Sequence, residues 1–271
     1  MEPNQSMNPY QAPSVDIISA TPEIDCQFIE GGRSVPTGNG MSWISAGWSI
    51  FTQAPLSWVV CMVIMLVIAV VLTLLPIIGG LINYIVFALF TGGLMMGCQA
   101  QHLGRSFEIS DLFAGFKEKT ASLLIVGLLY VVASLALLVV AVILFAVVLG
   151  STGLMGALMG GDQAAVAALI GSSLLGFMMI VLVMLALYVP VAMAFWFAST
   201  LVALQDITPM AAIRMSFSAC LKNVMPFLIY GLVFLFIFII AVLPFGMGLL
   251  VAFPLMYAST YAAYRDIFLA E

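Results

Sequence analysis

The chain has 271 residues, of which 64% are apolar and 7% charged; 7 Lys and Arg stand against 12 Asp and Glu, for a net charge of −5. A soluble domain carries about 25% charged residues and about 45–50% apolar ones, so a soluble enzyme, a nucleic-acid binder and a disulfide-stapled secreted domain are excluded. The charges are also segregated. Asp, Glu, Lys and Arg are missing from 56–104, 121–161, 163–205 and 223–264, and each of these stretches exceeds the ~20 apolar residues that cross a hydrocarbon core about 30 Å thick.

Residues 1–40 are rich in Pro, Ser, Asn and Gly without a periodic apolar face. Such a segment buries too little surface to offset its ordering entropy, and a flexible cytoplasmic tail is expected, followed by a transmembrane domain over 41–271. A signal peptide is not expected, because the first apolar run begins near Leu56. The first span is expected at 57–76, ending at Pro76-Ile77-Ile78-Gly79-Gly80, and the second at 81–101. A polar loop with His102, Arg105, Glu108, Asp111, Lys117, Glu118 and Lys119 follows, then a third span at 121–149. The fourth, 164–204, is long enough for one helix of roughly 60 Å or two short spans broken at Pro190. One helix kinked near Pro190 keeps every Lys and Arg on a single side, in line with the positive-inside tendency, and is the reading adopted. The fifth and sixth spans are expected at 224–242 and 245–264, which places both termini in the cytoplasm.

Two segments resemble each other. Phe197-Ala198-Ser199-Thr200-Leu201-Val202-Ala203-Leu204-Gln205-Asp206-Ile207 matches Tyr257-Ala258-Ser259-Thr260-Tyr261-Ala262-Ala263-Tyr264-Arg265-Asp266-Ile267 at six of eleven positions. Each odd-numbered span also follows an amphipathic stretch: Ile44, Trp48 and Phe51; Leu112, Phe113 and Phe116 behind a Ser110 N-cap; Met210, Ile213, Phe217 and Leu221 behind Thr208-Pro209. The fold class expected is therefore an all-α integral membrane protein with six transmembrane helices as three hairpins, each preceded by an interfacial amphipathic helix.

Ionisable groups deep in a membrane mark proton relays and ion sites, and these spans hold none. His102, the sole histidine, has no nucleophile or second metal ligand beside it in sequence; a catalytic role would need Glu108 and Asp111 brought to it. The 18 methionines, among them Met95, Met96, Met155 and Met159, form no MxxM-type copper cluster and read as apolar filler. Cys26, Cys61, Cys98 and Cys220 show no metal-ligand spacing. No catalytic residue, cofactor or metal is expected. Trp43, Trp48, Phe51 and Trp58 are read as interfacial anchors, and the GxxxG pair Gly93 and Gly97 as a helix-packing site.

Gly47-Trp48-Ser49-Ile50-Phe51, Pro55, Trp58 and Asp111-Leu112-Phe113-Ala114-Gly115-Phe116 resemble the pattern of a group of uncharacterised multi-pass inner-membrane proteins of Gram-negative bacteria, over residues 35–265. More remotely, the layout is similar to the membrane domain of some glycerophosphodiester phosphodiesterases, whose soluble catalytic domain has no counterpart here. The resemblance implies a bacterial inner membrane and brings no activity or site residue with it. A non-catalytic scaffold or accessory factor is expected, with the lipid bilayer and a membrane or cytoplasmic protein as partners, no nucleic acid, and the oligomeric state open. The alternative is a permease or lipid-handling protein for a neutral or amphipathic solute.

Overall fold

A computed structural model describes residues 27–76, 78–152, 159–160 and 163–270. Its helices are α1 (Asn39–Gln53), α2 (Pro55–Thr73), α3 (Ile78–His102), a 3₁₀ helix (Ile109–Phe116), α4 (Thr120–Thr152), α5 (Gln163–Trp196), α6 (Ala198–Leu204), α7 (Pro209–Lys222), α8 (Val224–Val242) and α9 (Leu249–Phe268). Two short strands, β1 (Gln27–Phe28) and β2 (Leu269–Ala270), pair antiparallel with Phe28 opposite Leu269.

Among the described residues, five segments are long and apolar enough to cross a membrane: α2, α3, Thr120–Val148 of α4, Gly176–Leu204, and α8. Large apolar side chains such as Leu128, Val132, Leu182, Leu232 and Phe236 are exposed on α4, α5 and α8, as a lipid-facing shell requires. The remaining long helix, α9, is more polar, and its Ala258, Ser259, Thr260 and Tyr261 are buried among other helices. A helix wrapped by protein need not match the lipid, so its composition is free to carry hydroxyls and phenols.

The three amphipathic stretches pack in a cyclic order. Helix α1 lies on α9, the 3₁₀ helix on α3, and α7 on α5 and α6. The second and third dock on the helices that come just before them in the chain, and the first docks on α9, the last helix. Close approach is built in at small residues: a Cβ on Gly47 would sit 2.6 Å from the Ser259 amide nitrogen, and one on Gly93 2.4 Å from the Leu112 carbonyl oxygen.

Several expectations change. Residues 27–40 are not a free tail. Arg33 pairs with Asp266, and the buried Asn223 accepts from the Val35 amide while donating to the Arg33 carbonyl. Lys222 donates to the carbonyls of Gly31 and Gly32. Polar side chains from the far end of the chain thus satisfy a backbone too poor in apolar residues to fold by itself. Residues 1–26 lie outside the described residues. The long fourth segment stays helical through Pro190 and is interrupted at Phe197. There the Ser216 hydroxyl donates to the Met193 carbonyl and accepts from the Phe197 amide, replacing the bonds that the break removes. The second amphipathic stretch is 3₁₀ rather than α, and its N-cap is Glu108, in a reciprocal capping box with Asp111, rather than Ser110.

Candidate functional site

Two cavities stand out. The first, about 470 Å³, lies among α3, α4, α5, α6 and α9. Its polar wall consists of Asn83 and Thr91 on α3, Tyr130 on α4, Tyr188 on α5, Ser199 on α6, and Tyr257 and Thr260 on α9. From Asn83 to Thr91 the wall rises about 12 Å along the helix axis. Among the described residues, no Asp, Glu, Lys, Arg or His lines it. The Asn83 Oδ1 is buried without a hydrogen-bond partner, so an acceptor faces a space that a donor could fill. Other polar groups of the wall have partners: Thr260 donates to the Met256 carbonyl at 2.8 Å, Tyr130 interacts with Tyr188, and Tyr257 with Thr91. Tyr84, Phe87, Tyr188 and Trp196 at the rim are exposed, so the cavity opens sideways out of the bundle. A mostly apolar recess with a few neutral donors and acceptors suits an uncharged or amphipathic molecule.

The second cavity, about 400 Å³, lies on the opposite side of α9, at the end of α3, with α1 as its third wall. It holds Arg33, Ser49, Gln53, His102, Arg265 and Asp266. The Asp266 Oδ2 accepts from the Trp43 indole and from Asn39, both at 2.8 Å, and Arg33 contacts Oδ1 at 3.3 Å. Arg33 also donates through Nε to the Asp266 carbonyl at 2.7 Å. An arginine nitrogen of Arg265 lies 3.1 Å from the His102 Nδ1.

The expected anchors divide. Trp43, Phe51 and Trp58 are buried against protein, while Trp48 is 49% exposed. Trp43 packs on Phe227 and Tyr230, and Trp58 stacks on Phe107 at 4.3 Å between centroids. Their rings contact other side chains because α1 and the start of α2 are covered by α8, α9 and the 3₁₀ region. A Cβ on Gly93 would meet the Leu112 carbonyl oxygen and one on Gly97 the Phe107 ring, so their near neighbours belong to the loop and 3₁₀ segment rather than to another long helix.

His102, Glu108 and Asp111 are not joined into one cluster: Asp111 is taken by Arg105 at 2.8 Å and by the Glu108 amide at 2.9 Å. Met95 and Cys98 are fully buried, Met159 is exposed, and Met155 lies outside the described residues. Among the described residues, no three His, Cys, Asp or Glu side chains gather as metal ligands do.

Sequence reading missed Asn83, Tyr130, Tyr188 and Tyr257 as one wall. Their common signal was a polar or phenolic residue at mid-span, but the four lie on four different helices and nothing local pairs them. It also missed Asp266 as a shared acceptor, although that aspartate sits in the repeated motif.

No family model matches the chain, and no solved structure matches it. It is similar to a protein of Burkholderia thailandensis named "Probable inner membrane protein", with 29% identity over 255 residues, covering 86% of this chain and 92% of that one. With its apolar helices, that relationship makes the chain a multi-pass membrane protein akin to an inner-membrane protein.

Proposed function

We propose that the protein is a non-catalytic inner-membrane protein that binds a neutral or amphipathic molecule from the bilayer, as a permease or lipid-handling protein does. The observation that carries this reading is the charge-free lateral cavity with its unpartnered Asn83 acceptor. The scaffold reading draws on the lack of polar machinery, the tail over 1–40 and the three interfacial helices; residues 27–40 and the inner faces of α1 and α7 are spent on internal packing, which leaves less of the last two for a partner. On this reading α9 is a sixth span, the three units are transmembrane hairpins, and both termini are cytoplasmic. The side-by-side pairing of β1 and β2 supports an even number of crossings.

The test is mass spectrometry of molecules retained by the full chain purified in mild detergent, beside an Ala192→Phe variant that fills the cavity. One enriched neutral or amphipathic species in the wild type, lost in an equally stable variant, is the expected result. A chain carrying no enriched small molecule but a stoichiometric protein partner overturns the proposal in favour of the scaffold.

A further inference from the structure

We infer that the molecule taken by the lateral cavity carries a flat, uncharged ring, aromatic or otherwise conjugated, on an apolar body. The inference rests on the reading of that cavity as a site for a neutral or amphipathic molecule, and narrows it to one chemical class. Seven of the fifteen lining residues are aromatic, against 11% of the chain. That share decides little by itself, because rings can pack on each other, and four of the seven do. Tyr84 meets Tyr130 edge-on at 5.0 Å between centroids, and Tyr130 meets Phe195 at 4.8 Å. Trp196 meets Phe227 and Tyr230 of α8 at 6.0 and 6.2 Å.

The other three, Phe87 on α3, Tyr188 on α5 and Tyr257 on α9, meet no ring among the described residues. They reach the cavity from three different helices. Tyr and Trp gather at the two membrane interfaces as anchors, but Phe87 lies near the middle of α3 and Tyr188 near the middle of the span Gly176–Leu204. An anchoring belt therefore does not account for them. Both phenols are held in place, Tyr188 by a hydrogen bond with Tyr130 and Tyr257 by one with Thr91. Their rings are set before anything binds, which lowers the ordering cost of taking a guest. A ring favours another ring, stacked or edge-on at about 4.5–7 Å, beyond what the buried area alone contributes. A saturated acyl chain fills the same volume without supplying that partner. A recess of about 470 Å³ is in the size range of sites for single small molecules. Its sideways opening lets an attached chain run out into the bilayer.

Two probes of nearly equal size separate the ring from the rest of the molecule: 4-nonylphenol, and 4-nonylcyclohexanol, in which the same hydroxyl and chain stand on a saturated, puckered ring. Each is titrated into the full chain in a neutral maltoside detergent, with binding read by calorimetry and by the rise in unfolding temperature. The wild type should bind the phenol about fivefold to tenfold more tightly, the scale of one or two aromatic contacts. Phe87→Leu keeps an apolar side chain at the rim and removes the ring, and should cut that ratio by at least about half. Phe87 carries no polar group, so a change there reports the ring and not the stronger donor of the phenol. Phe236→Leu, on the lipid-facing side of α8, should leave the ratio unchanged. If Phe87→Leu does not yield folded protein, Tyr188→Leu takes its place with the same expectation. Equal affinity for both probes, each lost in Ala192→Phe, overturns the ring and leaves the cavity a site for neutral amphiphiles. A preference that Phe236→Leu lowers as much as Phe87→Leu belongs to the detergent-covered surface and also overturns it. If neither probe shows saturable binding that Ala192→Phe removes, the ring and the reading of the cavity fall together.

Discussion

Asp266 receives hydrogen bonds from Trp43, Asn39 and Arg33, three residues that lie more than 220 positions earlier in the chain. Removing the carboxylate leaves a buried indole N–H and an amide without their acceptor, and a lost hydrogen bond to a charged group costs about 1.5–3 kcal/mol. Asp266→Ala should therefore lower the unfolding midpoint in detergent clearly, whereas Asp206→Ala should change it little. Asp206 pairs with Lys119, but its own side chain is 91% exposed, and such pairs contribute about 0–1 kcal/mol. The two aspartates occupy the same place in the internal repeat, so the sequence made them look equivalent. Their environments separate them. In the same way Trp43 had the composition of a membrane anchor, and its true partner was invisible because nothing local links position 43 to position 266.

Burial sets the chemistry of Cys220 on α7, pushing its thiol up to about 12, with the Ser216 hydrogen bond pulling modestly the other way. A thiol that stays neutral in the folded chain but ionises near 9 when unfolded favours folding fully below pH 9, and loses that contribution as pH rises from 9 towards 12. Stability should fall over that window in the wild type and less steeply in Cys220→Ala, measured as the difference between their midpoints. At pH 7.5 the thiolate fraction is about a thousandfold below that of an ordinary cysteine, so maleimide labelling of Cys220 should be slower by that order, with burial slowing it further. Labelling at the rate of a free thiol would show α7 detached from its seat.

Among the elements, the amphipathic stretches carry the clearest lesson about what periodicity conveys. Apolar residues three and four apart announced one-sided helices before each unit, and α1 and α7 formed close to where they were expected. The pattern could not say whether the apolar side meets lipid or protein. For α1 the deciding residues are Gly40 and Gly47, whose missing side chains let backbones touch: a Cβ on Gly40 would stand 2.4 Å from the Pro226 carbonyl oxygen. Gly47→Ala should destabilise by about 1–3 kcal/mol, as overpacking a tight contact does. Gly80→Ala, on α3 with nothing within 4 Å, should be neutral or stabilise by up to about 1 kcal/mol through helix propensity. Thermal unfolding of the two variants side by side separates docking from propensity. The break at Phe197 was illegible for a related reason. Proline is the strongest breaker in a sequence, yet Pro190 is tolerated inside α5, and a serine on a different helix decides where the chain turns.

At the scale of the whole molecule, the segregation of charge was enough to give a helical membrane protein, but not the closure of its three units. Closure depends on the first unit reaching the last, through α1 on α9 and through the strand pair that joins the two ends of the described chain. The repeat hinted at equivalent units without saying that they form a ring. Contact between its two copies is direct, since Gln205 donates to the Tyr264 hydroxyl at 2.7 Å. A closed ring makes a specific demand on distance. Gln27 is opposite Ala270 in the strand register, and opposed residues of antiparallel strands have Cα atoms about 4.5–5.5 Å apart, within the reach of a disulfide. A Gln27→Cys and Ala270→Cys double variant, in a background with the four native cysteines replaced, should cross-link within one chain on mild oxidation. The product should migrate as a compact monomer on a denaturing gel and revert on reduction, at a yield independent of protein concentration. Each single variant should give no such band. Failure of the double variant to close, in protein that remains monodisperse, would mean that the two ends do not meet and that the three units form an open row.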